Sequence, residues 1–320
     1  MARTDTLGNF LTDVAAAIRT KKGITDTIPA NTFDTEIASI EGGSSKYAPR
    51  RISFKEYTGT ELDYELENLD TSNLTTFKEM FYTCAKLLSV PVIDTSKGTD
   101  FSYMFYACRN ITKIPEINTS EGTNFSYMFN LCDKVTSFPL IDTSKGTDLS
   151  NMFLNCSAVT EVPALDTSFA TNVSYMFSGC KVLTSIPSLS LGNAKNMMVM
   201  FSNCNKLETL SEIDSSSATN ITNMFFNCYA LVEFGGLKNL GQAYLTTASA
   251  NYGQYKLNLS LCSKLTEQSL INVLNNLYDI ATKGCNTQQV VLGSTNLAKL
   301  TSEEGQAALT NATTKGWTVS

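Results

Sequence analysis

The sequence predicts an α/β repeat protein: a solenoid of seven 24-residue units, each a short parallel strand plus a short helix. A helical segment precedes the array and an α/β cap follows it. Two observations carry this. Met-Phe recurs at Met80-Phe81, Met104-Phe105, Met128-Phe129, Met152-Phe153, Met176-Phe177, Met200-Phe201 and Met224-Phe225, 24 residues apart with no insertion. A cysteine follows three residues after each Phe: Cys84, Cys108, Cys132, Cys156, Cys180, Cys204 and Cys228. Self-similarity at a fixed period marks a solenoid, because one unit cannot bury its apolar face alone and stacked copies can.

Within one copy, Phe101, Met104, Phe105 and Cys108 sit at i, i+3, i+4 and i+7, one face of a short helix, with Thr99 or Asp100 as its cap. Ile111, Ile114 and Ile117 follow at every third residue through an extended segment that ends in turn chemistry at Asn118-Thr119-Ser120. Parallel strands about 4.8 Å apart would make seven copies roughly 30–35 Å long. Pro91, Pro115, Pro139, Pro163 and Pro187 are also 24 apart; proline cannot donate to a ladder, so the strand is very short or ends there.

The Met-Phe-x-x-Cys-x-x-Leu/Val pattern followed by Ile-Pro or Val-Pro resembles the BspA-like leucine-rich-repeat surface proteins. The resemblance covers residues 62–236. It implies a right-handed leucine-rich-repeat solenoid and a role in adhesion or binding at bacterial surfaces. In the last copy Gly235-Gly236 replaces proline and a side chain, and the array is expected to give way to its cap there.

The flanks read differently. In residues 1–41, Leu7, Phe10, Leu11, Val14 and Ile18 make one amphipathic stripe, and Phe33 and Ile37 belong to a second short helix. Two such helices cannot make a core alone, so they are expected to attach to another protein or to copies of themselves. This segment resembles the N-terminal part of structural proteins in phages and prophages of Firmicutes, which implies an attachment module on a virion. Residues 42–61, with Gly42-Gly43-Ser44-Ser45, are a linker and the start of the solenoid's N-terminal cap. Residues 237–320 are the C-terminal cap. There Leu257, Leu259 and Leu261 alternate as a strand, and Leu270, Val273, Leu274 and Leu277 suit a helix. Gln289–Leu292 suits a further strand, and Thr301 with Glu304 a capping box.

Composition excludes several chemistries. Histidine is absent, which removes the usual serine and cysteine triads and His-ligated zinc. The formal charge of −6, without a basic cluster, argues against nucleic acid. No apolar run is long enough for a membrane span, and no secretory signal is recognisable at Met1-Ala2-Arg3. The stacked cysteines form no Cys-x-x-Cys pair and read as a buried ladder of free thiols, with Cys262 and Cys285 as single positions. Asp70, Asp94, Asp142, Asp166 and Asp214 share their column with Asn118 and Ser190, so they read as acceptors for turn amides rather than calcium ligands. Lys97, Glu121 and Lys145 alternate in sign along the stack, a favourable surface ladder. Tyr103, Tyr127 and Tyr175, with Tyr82 and Tyr106 nearby, either flank the helix or present a recognition surface. No catalytic constellation, cofactor motif or metal site is expected.

The positions flanking the strand vary while the frame does not: Ser89, Lys113, Ser137, Glu161 and Ser185 before proline, and Val92, Glu116, Leu140, Ser188 and Glu212 after it. A constant frame with a varied ribbon is how repeat proteins present a tailored binding surface. The functional expectation is a non-enzymatic phage or prophage tail appendage that recognises a bacterial surface glycan or protein through this ribbon. Residues 1–41 would bind other virion proteins, in a homo-oligomer that analogy makes a trimer. The alternatives are a cell-surface adhesin of the same repeat family and a structural virion protein with no receptor role.

Overall fold

A computed structural model describes residues 53–59, 71–243, 256–283 and 288–320. Leu7, Phe10, Leu11, Val14, Ile18, Phe33 and Ile37, the segment 1–41, Asp70 and Cys285 lie outside the described residues. The fold mixes helices with short parallel strands.

The repeat does not contain the expected helix. Phe101, Met104, Phe105 and Cys108 are all fully buried, as the periodicity requires, but the backbone runs through successive β-turns. Met104 N–H donates to Phe101 O (3.2 Å), Tyr106 N–H to Tyr103 O (3.1 Å) and Cys108 N–H to Phe105 O (3.1 Å). The intervening donors leave the copy altogether. Phe101, Tyr103, Phe105 and Ala107 N–H reach the carbonyls of Asn124, Ser126, Met128 and Asn130 in the next copy, at 2.7–2.9 Å. The physical reason is the left-handed backbone at Tyr103 (φ 59°) and Ala107 (φ 56°), which no α-helix accommodates. Each is the third residue of its turn, where a type II turn demands positive φ. A double turn of period four buries the same i, i+3, i+4, i+7 set that a helix would.

These inter-copy bonds run from Thr76↔Asp100 through Asn196↔Asn220, each a parallel bridge to the copy 24 residues on. Inside them, side chains repeat on themselves. Phe81, Phe105, Phe129, Phe153, Phe177, Phe201 and Phe225 form a column with ring centroids 5.2–6.0 Å apart and near-parallel planes. Each buried Cys thiol donates to the carbonyl of the preceding copy's Phe, as Cys108 Sγ does to Phe81 O at 3.1 Å. Residues 53–59 close the start of the array. Phe54 stacks on Phe81 at 5.6 Å, and its N–H takes Met80 O.

A parallel strand in every copy was also expected, and the structure corrects this too. On the ribbon side only the last copies pair as named strands, β1 (Thr209–Leu210) with β3 (Glu233–Phe234) and β2 (Ile213–Asp214) with β4 (Leu237–Lys238). The first five copies carry proline, and the sixth Ser211, in the register where Gly235 N–H donates to Leu210 O (3.0 Å). Removing proline restores the missing donor and the ladder forms. Glycine is also needed at 235, where a Cβ would run into the Glu212 backbone, and at Gly236 (φ 95°), against which Asn276 packs.

The C-terminal unit is a parallel sheet ordered β5–β6–β7, made by β5 (Lys256–Asn258), β6 (Gln288–Val291) and β7 (Trp317–Val319). Its helices are α1 (Glu267–Asn275), α2 (Ser294–Leu297) and α3 (Glu303–Thr314). β5 stops at Asn258 and Leu261 is 39% exposed, so the expected Leu257–Leu261 alternation ends early, at a turn closed by Asn258 Oδ1 accepting from Ser260 N–H. Ser302, not Thr301, caps α3 by accepting from Gly305 N–H. The reciprocal carboxylate is Glu267 of α1, which takes Ser302 N–H at 2.9 Å in place of Glu304. The unit seats on the last copy. Thr266 N–H donates to Val232 O (3.0 Å), and Phe234 N–H to Ser269 Oγ (3.0 Å). Cys262 continues the thiol column towards Phe225 O at 3.9 Å.

Val199 occupies the same left-handed position as Tyr103, at φ 60°, and a β-branched residue is the worst occupant of that region. Val199→Gly is therefore expected to raise stability by about 1 kcal/mol. Urea unfolding would show this as a higher midpoint.

Candidate functional site

All ten expected ribbon residues, Ser89, Val92, Lys113, Glu116, Ser137, Leu140, Glu161, Ser185, Ser188 and Glu212, are exposed. They fall in two rows on either side of the buried positions Val90, Ile114, Val162 and Ile186. Val92 and Leu140 stand 72% exposed in one row, with Glu116 between them. The backbone places them: inward apolar residues recur at every third position, Val90 and Ile93 or Ile114 and Ile117, and the residues just before them, Ser89 and Val92 or Lys113 and Glu116, face outward. Glu212 differs from the rest, because its carboxylate accepts from Asn276 Nδ2 at 3.0 Å and is tied to the C-terminal unit.

The acidic column does turn chemistry. Asp94, Asp142, Asp166 and Asp214 each accept the N–H of the serine two residues on, at 2.9 Å. Asn118 does the same for Ser120 at 3.1 Å. A second column behaves alike: Asp100, Asn124, Asp148 and Asn172 accept from the serine two residues later, so Asp100 closes an Asx-turn rather than capping a helix. The serine hydroxyl, then the serine N–H, holds the carboxyls of Asp94, Asp142 and Asp166 below the ordinary range. In the sign-alternating column Lys145 pairs with Glu121 at 2.8 Å, whereas Lys97 reaches Asn73 Oδ1 at 3.0 Å.

The thiols deep in the column are unsuited to redox or nucleophilic work, while a hydrogen bond with Cys108 draws the Cys84 thiol below the usual range. Burial pushes Cys156, Cys180 and Cys204 far above the usual thiol range, and Cys262 up to about 12. A thiol so held is not a thiolate. Among the described residues no group of His, Cys, Asp or Glu is arranged to hold a metal ion, and no helix is long and apolar enough to cross a membrane.

On the turn side the structure joins four tyrosines that the sequence left as separate positions. Tyr82 stacks on Tyr106 (4.8 Å between centroids, 8° between planes) and Tyr103 on Tyr127 (4.5 Å, 7°). The two columns tilt against each other, with Tyr103 and Tyr106 5.6 Å apart. Lys55 Nζ lies 4.7 Å from the Tyr82 ring centroid. All four rings are half-buried. Tyr175 belongs to the same column as Tyr103 but has Asn151 and Val199 as column neighbours, not tyrosine.

The chain matches the DUF285 family, described as Mycoplasma protein of unknown function, over residues 51–162 and 137–233. Those two overlapping matches take in more than half of the 320 residues and contain every Met-Phe-x-x-Cys turn. The chain belongs to this family. No curated protein and no solved structure shows significant similarity to it. The DUF285 region includes the whole ribbon and the tyrosine cluster, while the C-terminal unit lies beyond it.

The lowered carboxyls make a pH prediction for the DUF285 region. A folded-state value below the unfolded one stabilises above the unfolded value, and that contribution is lost as pH falls through the folded one. Replacing Asp94, Asp142 and Asp166 together by Asn keeps the acceptor and removes the titration, as Asn118 already does. The urea midpoint of this variant is expected to fall less than that of the unmodified chain between about pH 5 and about pH 2.5. The difference should be modest, because these groups are exposed and screened. Equal falls would mean that the column does not contribute to acid sensitivity.

Proposed function

We propose that the chain is a non-enzymatic binding protein whose stacked copies act as a leucine-rich-repeat-type solenoid, reading a bacterial surface through its ribbon. One observation carries the reading. The buried frame of Phe, Met and Cys is nearly invariant from copy to copy, while the ten exposed ribbon residues differ in charge, size and polarity. Variation on an outward face around a constant frame is what a tailored recognition surface needs. The ribbon carries Lys113, Glu116, Glu161 and Glu212 beside Val92 and Leu140. That mix of charge and exposed apolar area suits a glycan or protein receptor better than a polyanion.

In this reading the particle context is a phage or prophage tail appendage, held by residues 1–41 in a homo-oligomer. It rests on the resemblance of that segment to virion proteins. Membership of a family described from Mycoplasma, cells rather than particles, favours a second reading as a cell-surface adhesin. The two readings share the ribbon and differ in what residues 1–41 attach to.

The test is binding of the fluorescently labelled full chain to a panel of Gram-positive cells. Saturable binding to some strains is expected, and the charge reversal Lys113→Glu with Glu116→Lys should weaken it at least about tenfold. Binding that is unchanged in the reversed variant would remove the ribbon from the recognition surface. An absence of binding to every strain would leave only a structural role.

A further inference from the structure

We propose that the cluster formed by Tyr82, Tyr103, Tyr106 and Tyr127 is a second binding site, separate from the ribbon, and that its ligand is a neutral carbohydrate chain. The first support is backbone cost. Tyr103 and Tyr127 both hold φ 59°, in the left-handed region where a large side chain is disfavoured. The other copies fill the same position with Glu79 (φ 57°), Asn151 (φ 60°), Tyr175 (φ 59°), Val199 (φ 60°) and Asn223 (φ 54°), of which the asparagines tolerate it best. The stack therefore does not need an aromatic there, and two adjacent copies keep one against the backbone's preference. Strained positions of this kind persist where a side chain serves something other than the fold.

The second support is that the fold does not need the neighbouring column either. Tyr82 and Tyr106 have Asn130, Leu154, Ser178, Ser202 and Phe226 as their equivalents in later copies, so an aromatic is optional there. Tyr175 and Phe226 stand in later copies, but the first three bring four tyrosines together through the 24-residue stacking, with centroids 4.5–6.3 Å apart.

The chemistry of the patch points to its ligand. None of the four hydroxyls hydrogen-bonds to another described residue, so each is available as donor and acceptor. The stacked rings occupy one another's faces and leave edges and hydroxyls outward. Lys55, whose Nζ lies 4.7 Å from the Tyr82 centroid, pairs with Glu79 at 3.9 Å. A surface that alternates apolar edges with free hydroxyls, beside a Lys55 ammonium already paired with Glu79, complements a sugar chain, which alternates C–H faces with hydroxyls.

The experiment is affinity electrophoresis of the full chain through gels containing dextran, hydroxyethylcellulose, soluble starch or mannan, with dextran sulfate as an anionic control. Retardation by at least one neutral polymer is expected. Tyr103→Asn with Tyr127→Asn should weaken it about tenfold or more, while the urea midpoint stays the same or rises. That combination would not arise from a merely structural role. Tyr82→Phe with Tyr106→Phe, which keeps the rings and removes two hydroxyls, should weaken retardation as well. The ribbon variant with Lys113→Glu and Glu116→Lys should migrate like the unmodified chain, so the two sites fail independently. No retardation by any neutral polymer, retardation by dextran sulfate alone, or full retardation of the Tyr→Asn variant would each overturn the proposal. Capture of a polypeptide through these tyrosines in place of a glycan would overturn it too.

Discussion

Two left-handed residues in each copy, Tyr103 and Ala107 in the second, decide which way the backbone donors of the turn side point. With them in place, Phe101, Tyr103, Phe105 and Ala107 cannot bond four residues back, and their N–H groups face along the stack. The next copy supplies an acceptor for each. A buried N–H left without one would cost roughly 1–3 kcal/mol, so each copy depends on its neighbour for several such donors. From that dependence come the parallel stacking, the superposition of Phe on Phe and Cys on Cys, and the need for closing elements at both ends. Phe54 meets that need before the first copy, and Thr266, Ser269 and Cys262 meet it after the last.

Because the frame is repetitive and turned inward, function can only differ between copies where side chains point out. Two such places stand apart. The ribbon changes in character from Val92 to Glu116 to Leu140 at one repeated position. The turn side carries four clustered tyrosines in its first three copies and a mixture afterwards, from Asn151 and Ser178 to Tyr175, Val199 and Phe226. The thiols deep in the column, such as Cys156 and Cys180, are held protonated by the same packing that makes them good column residues. In the proposed reading the chain works by surface complementarity.

Much of this was legible from spacing alone. The Met-Phe-x-x-Cys interval located the buried residues correctly, and the shared column of Asp94, Asn118 and Asp142 identified turn acceptors, as their bonds to Ser96, Ser120 and Ser144 show. The helix within each copy was misread for a definite reason. A double turn with period four and an α-helix of period 3.6 bury the same four residues over so short a span. The signal that separates them was present in Asn151, Asn155, Gly179, Asn203, Asn223 and Asn227, all at left-handed positions. Ribbon strands were over-assigned because proline's missing donor outweighs the β-branched residues beside it in the five copies that carry it. At α3 the expected cap lay one residue away, because Glu267 approaches from another helix and no local pattern shows that. The tyrosine cluster joins residues 24 apart, so it becomes visible only once the copies are stacked.

If copies are equivalent and bonded only to their neighbours, whole copies should be removable and fractions of a copy should not. The most direct measurement is urea unfolding of two deletion variants: one lacking residues 133–156, a full 24-residue copy, and one lacking residues 133–144. The first should join Cys132 to Ser157 in register, keep one cooperative transition and lose some stability with its lost interface. The second places turn against ribbon and should not fold cooperatively. If both deletions unfold alike, or if the half-copy deletion is the better tolerated, the stack of equivalent copies is contradicted.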